Sequence, residues 1–193
     1  MAPKILFPLC ISIPLSEFAH PYAVLAPHTS ITVASPKGGT ALIDPNSLSQ
    51  VIKDRISRDF LAKNKSLWGN TVRLSSLAAE AVLFVGGHGP MFDLATDSTS
   101  HTLIQDFHAK NKIIAAVCHG PSALANVVQE DERFLLEGLK VTDFADSEER
   151  RVGIEVPFSL GQMLGQASGG GFVKGDEWAP MVEIGTRERL ITG

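Results

Sequence analysis

The chain has 193 residues, of which 44% are apolar and 20% charged, a balance that suits one globular domain over residues 1–193 and excludes wholesale disorder. Seventeen basic against 21 acidic residues leave a formal net charge of −4, which gives no electrostatic reason to bind nucleic acid or an anionic membrane. Two cysteines, Cys10 and Cys118, allow at most one disulfide and suit a reducing compartment.

Residues 4–9 open the chain as an apolar strand. Pro8 and Pro14 interrupt the apolar run and Glu17 follows, so it is too short and too broken for a signal peptide. No stretch approaches the ~18 apolar residues that a spanning helix needs, so a cytoplasmic protein with no membrane partner is expected. Helical spacing follows over 17–25, then a strand over 31–35 and a helix over 48–62. Further strands are predicted at 81–85, 113–117 and 140–144, with a helix over 102–109 and another over 122–128. These strands are short apolar runs without period-two alternation, as in a parallel sheet covered on both faces. Ser168-Gly169-Gly170-Gly171 reads as a local turn rather than a domain boundary. Residues 181–184 and 189–192 flank Gly185-Thr186-Arg187-Glu188 as a terminal hairpin. Alternating strands and helices give an α/β class, with a mostly parallel central sheet between helical layers.

The strongest chemical signal is Val117-Cys118-His119-Gly120-Pro121, where an apolar strand runs straight into a helix-compatible segment. That is the layout of a nucleophile elbow, which lifts a side chain at the carboxyl edge of a sheet. A helix N-terminus behind the turn would favour thiolate over thiol at Cys118. His119 is placed to move a proton. The bland alternative is a small buried cysteine beside a satisfied histidine. A second strand ends in Gly86-Gly87-His88-Gly89-Pro90, whose bare backbone N–H groups suit an oxyanion site and lack the ending of a phosphate-binding P-loop. Glu17, in Glu17-Phe18-Ala19-His20-Pro21, would alone be a helix-capping acid. Glu17, Gly87 and Cys118 all follow predicted strands, and in a parallel sheet such loops gather at one edge. Cys10, Trp68 and Trp178 read as packing residues. His20 and His28 lack zinc-ligand spacing.

Taken together, these stretches resemble the PfpI superfamily, the class I glutamine amidotransferase-like group. The likeness extends through Ala34-Ser35-Pro36-Lys37-Gly38-Gly39, Lys140-Val141-Thr142-Asp143-Phe144 with Glu148-Glu149, Val156-Pro157-Phe158 and Arg189-Leu190-Ile191-Thr192-Gly193. Within that group the chain is most similar to the glutathione-independent glyoxalase branch, which includes heat-shock chaperone-like members. The resemblance implies a flavodoxin-like three-layer sandwich and a homodimer. It implies conversion of a small 2-oxoaldehyde, methylglyoxal, to D-lactate without cofactor or metal. It further implies Cys118 as nucleophile with His119 and Glu17 handling protons. Glu148 is the first choice to orient His119, with Glu149 or Asp146 as fallback, and Gly87 and His88 border the oxyanion and substrate site. Two stretches depart from the pattern: only Cys10–Ser16 separates the first strand from Glu17, and relatives continue past a segment matching Ile191-Thr192-Gly193. The alternative reading is a holdase-type chaperone or a redox sensor that uses Cys118 without turnover, with activity reduced by these departures.

Overall fold

A computed structural model describes residues 2–50, 53–75, 78–153, 155–185 and 189–193. Its strands are β1 (Lys4–Pro8), β2 (Ser30–Ser35), β3 (Val72–Arg73), β4 (Ala81–Phe84), β5 (Ile113–Ala116), β6 (Glu183–Ile184) and β7 (Leu190–Thr192). They form one sheet in the order β3-β2-β1-β4-β5-β7-β6. Every pairing is parallel except β6 with β7. The last two strands are thus antiparallel as the terminal hairpin requires, although residues 186–188 of its turn lie outside the described residues.

Helices lie between the strands: α1 (Leu15–Leu25), α2 (Pro45–Gln50), α3 (Arg55–Lys63), α4 (Lys65–Gly69), α5 (Gly89–Phe92), α6 (Ser98–Ala109), α7 (Ser122–Ala125), α8 (Asp146–Val152) and α9 (Leu160–Ala167). α1 buries Leu15, Phe18 and Ala19 against the sheet. Phe18 meets Phe7 of β1 at 6.0 Å and Phe60 of α3 at 4.8 Å between ring centroids, and Phe60 stacks on Trp68 at 5.6 Å. This aromatic cluster fixes α1, and with it Glu17, over the carboxyl end of β1. The helix expected over 48–62 is instead two, because Asp54 caps a new start at α3 by accepting from the Ile56 N–H. No helix among the described residues is long and apolar enough to cross a membrane.

The strand expected over 140–144 does not form. β7 occupies the edge of β5 instead, pairing Ile114 with Leu190 and Ala116 with Thr192. The 140–144 segment is left with one isolated bridge from Val141 to Phe172, and its Thr142 N–H donates to the Thr192 hydroxyl. The Phe144 N–H donates to the Cys118 carbonyl at 3.2 Å, so the displaced segment becomes a wall of the elbow.

The chain adds β2 and β3 on one side of β1 and then returns to add β4, β5 and β7 on the other. The order therefore reverses between β1 and β4, and a crevice opens outside the carboxyl ends of strands at such a point. The registers Ile5↔Ala81 and Ala81↔Ile113 keep those ends level across β1, β4 and β5.

Candidate active site

Cys118 sits two residues beyond β5 with φ of +59°, a left-handed conformation that costs a non-glycine residue roughly 1–3 kcal/mol. The turn is held by Cys118 N–H donating to the Gly193 carbonyl at 2.6 Å and Gly120 N–H donating to Val117 at 2.8 Å. A Cβ on Gly120 would lie 2.4 Å from the Phe84 carbonyl oxygen, so the elbow closes only around glycine there. Cys118 is half-buried and lines a cavity of about 480 Å³ walled by Asp143, Phe144, Trp178, Pro180, Met181 and Val182.

Glu17 arrives from the opposite side, on the first turn of α1. Its Oε2 is fully enclosed and takes no hydrogen bond of ordinary geometry. A Cβ on Gly86 would lie 2.2 Å from that oxygen and 2.5 Å from the Cys118 Cβ, so Gly86 is the gap through which acid and thiol meet. Burial raises the Glu17 carboxyl from 4.5 to about 7, with the Cys118 thiol and the Gly87 and Gly86 N–H groups pulling it back down. Gly87 holds φ of +79°, and a Cβ there would strike the Pro14 ring at 2.1 Å.

The surroundings of the sulfur work against the thiolate that the elbow pattern predicts. Burial is the largest effect and pushes the Cys118 thiol well above its usual range, and the charge of Glu17 adds to it. The N–H groups of Gly87 and His119 act the other way. α7 is only four residues long, too short to overcome the burial. Those two N–H groups are the ones expected to form an oxyanion site, and both lie at the sulfur.

His119 is buried, and burial lowers its pKa, which keeps the ring neutral. Its Nδ1 lies 3.3 Å from the Cys118 Sγ and its Nε2 lies 2.5 Å from the Glu149 Oε2. The orienting acid is therefore Glu149 and not Glu148. Glu148 turns back to accept the Ala145 N–H at 2.9 Å and the Trp178 N–H at 2.6 Å, and so ties the start of α8 to the cavity wall. Asp146, the other fallback, accepts from the Ser159 hydroxyl. His88 does not border the Cys118 cavity. Its Nε2 lies 2.7 Å from the Glu149 Oε1, and its ring packs against His119 at 4.5 Å. His88, His119 and Glu149 are a donor set that could hold a metal ion, but both carboxylate oxygens are taken up by direct hydrogen bonds to the rings. Cys10 is buried and donates to the Ser12 carbonyl, while His20 bonds Asp54 at 2.7 Å.

Sequence reasoning gave no role to Asp143. Both of its carboxyl oxygens are enclosed and accept no hydrogen bond from a described residue. Burial, followed by the charges of Asp146, Glu148 and Glu149, raises it from 3.8 to about 8. The available signal was an acid set between Val141 and Phe144 in a segment expected to be a buried strand.

The model of the DJ-1/PfpI family matches residues 3–145. Glutathione-independent glyoxalase hsp3101 of Schizosaccharomyces pombe is 28% identical over 149 residues, an alignment covering 72% of this chain and 61% of that protein. The chain thus spans about three-fifths of that relative's length. The crystal structure of the Francisella tularensis Rapid Encystment Protein 24 kDa superimposes with a TM-score of 0.88 at 32% identity, covering 100% of this chain and 91% of that one. Glyoxalase III of Candida albicans shares the fold, with a TM-score of 0.86 at 20% identity and coverage of 99% and 90%.

Proposed function

The chain belongs to the DJ-1/PfpI family, and from that premise we propose that it is a glutathione-independent glyoxalase converting methylglyoxal to D-lactate through Cys118. The observation that carries this reading is the meeting of Glu17 with Cys118 across Gly86, in a chain whose relatives include proteins named for that activity. Each group has a task. The His119 Nδ1 accepts the thiol proton as the sulfur adds to the aldehyde carbon, forming a hemithioacetal. The Gly87 and His119 N–H groups face the oxygen that gains charge. Glu17, poised near neutrality by burial, takes the C1 proton to give an enediol and returns a proton to C2. The product of these transfers is a lactoyl thioester on Cys118. Water hydrolyses it, so one methylglyoxal and one water give one lactate and one proton.

Small neutral 2-oxoaldehydes suit the apolar wall of Phe144, Trp178 and Met181. The roles of Cys118, His119, Glu17 and Gly87, with Glu149 as the orienting acid, form one testable proposal. Purified protein incubated with methylglyoxal and no glutathione should form D-lactate, and Cys118→Ala should abolish it. Absence of lactate from the wild-type protein would overturn the glyoxalase reading and leave the chaperone and redox-sensor alternatives.

A further inference from the structure

We propose that His88 is a positioning residue for Cys118: acting through Glu149, it fixes His119 as the acceptor of the thiol proton. This inference rests on the reading of Cys118 as a nucleophile, though not on the identity of the substrate.

The argument starts from the carboxylate. Glu149 is about nine-tenths buried and presents two acceptor oxygens, one to the His119 Nε2 at 2.5 Å and the other to the His88 Nε2 at 2.7 Å. An ionised carboxylate only accepts, so each Nε2 carries its hydrogen. For a neutral His119, Nδ1 must then hold the lone pair, and it faces the Cys118 Sγ at 3.3 Å. The tautomer that can receive the thiol proton is thus set by Glu149, and Glu149 is set by both of its partners.

Neighbouring acids cannot take its place. Asp146 is engaged by Ser159, and Glu148 by the Ala145 and Trp178 N–H groups. Without His88, the Oε1 of Glu149 would be a buried carboxylate oxygen lacking its donor, and the group would be free to turn about its last bond. The His88 side chain is 26% exposed, whereas that of His119 is 3% exposed, and His88 lies outside the lining of the Cys118 cavity. It therefore reaches the thiol through Glu149 and through the His119 ring it packs against, and not directly. Its position next to the nucleophile loop explains the arrangement: Gly86 and Gly87 serve the sulfur and Glu17, and the next residue turns away to hold the acid behind the base.

The test is the rate of Cys118 alkylation by iodoacetamide as a function of pH, which needs no substrate. His88→Phe keeps a ring against His119 but removes the donor. His88→Gln keeps an N–H close to the position of Nε2. At neutral pH, His88→Phe should slow alkylation about tenfold, displacing the pH–rate curve upward by about one unit, and His88→Gln should recover most of the loss. Glu149→Gln should slow it at least as much as His88→Phe. A wild-type pH–rate curve in folded His88→Phe, or a loss in His88→Gln equal to that in His88→Phe, would overturn the proposal. A folding defect in the phenylalanine variant is detected by circular dichroism, and the glutamine variant then carries the test: a wild-type curve supports the proposal and a tenfold loss overturns it. If the wild type makes no lactate but the alkylation order holds, the glyoxalase reading fails and the positioning role stands.

Discussion

Replacing Asp143 by Asn should make the protein more stable, by an amount that grows as pH rises from about 4 to about 8. The acid has two enclosed oxygens without donors and a folded-state pKa raised from 3.8 to about 8. Because the folded value lies above the unfolded one, the native state holds a proton through that window that the unfolded chain has released. Stability from this group is fully present below the unfolded value and is lost as pH rises to about 8. At ~1.36 kcal/mol per pH unit, the rise from 3.8 to about 8 corresponds to roughly 6 kcal/mol, an upper bound before local relaxation. Asn has nearly the same shape as the protonated acid and cannot ionise. Urea unfolding of both proteins should therefore give similar midpoints below about pH 4, a gap that widens as pH rises, and a variant several kcal/mol more stable near about pH 9. An equal gain at both pH values, or none at the higher one, would refute the argument that Asp143 is a buried acid kept protonated by its surroundings.

Glu17→Gln removes the proposed proton carrier and should lower kcat for lactate formation by at least about 100-fold in a coupled assay. The same variant should gain stability progressively from about pH 4.5 to about pH 7 and keep the full gain above that, because the wild-type carboxyl stays buried as it comes to ionise; the rise from 4.5 to about 7 is worth roughly 3 kcal/mol. Gly86→Ala places a methyl 2.2 Å from the Glu17 Oε2 and 2.6 Å from the Val117 carbonyl oxygen, so it should cost about 1–3 kcal/mol in thermal unfolding and separate the acid from the thiol. Glu149→Gln should cut turnover with little effect on α8. Glu148→Gln should mainly lower Tm, by weakening acceptance from the Ala145 and Trp178 N–H groups.

The parallel strands were legible because each is an apolar run that ends in a turn, and β1, β2, β4 and β5 fall within a residue or so of the expected limits. The 140–144 segment carries the same signal and is not a strand. Its composition reports burial, and burial beside Cys118 and under α9 satisfies it without a ladder. What the local pattern cannot contain is the competition for the edge of β5, which the last strand of the chain wins. The site was legible at Glu17, Gly87 and Cys118 for a topological reason: loops after parallel strands gather at one edge. Choosing between Glu148 and Glu149 was not possible on those grounds. Adjacent helical residues point about 100° apart, so one faces His119 while the other folds back on its own N-terminus. That choice depends on how α8 is rotated, which is a matter of packing.

Five acids gather around the elbow: Glu17 meets the thiol, Asp143 and Glu148 line its cavity, Glu149 stands behind His119, and Asp146 adds its charge at Asp143. The structure handles each acid differently. Glu149 is matched by two imidazole N–H groups, Glu148 by two backbone N–H groups and Asp146 by a serine hydroxyl. Glu17 and Asp143 have no such donors of ordinary geometry at their enclosed oxygens, and burial raises both toward or above neutrality. Those two acids are left without such donors among the described residues; the first meets Cys118 across Gly86 and the second lines the same cavity as the sulfur. A proton on Glu17 removes the like charge that adds to burial in disfavouring the thiolate. In the proposed reaction the carboxyl can then release and regain that proton near neutral pH, while Glu149 holds the Nε2 of His119. Acidity in this pocket is partitioned by hydrogen-bond supply: acids with donors orient, and the enclosed acid nearest the sulfur exchanges protons.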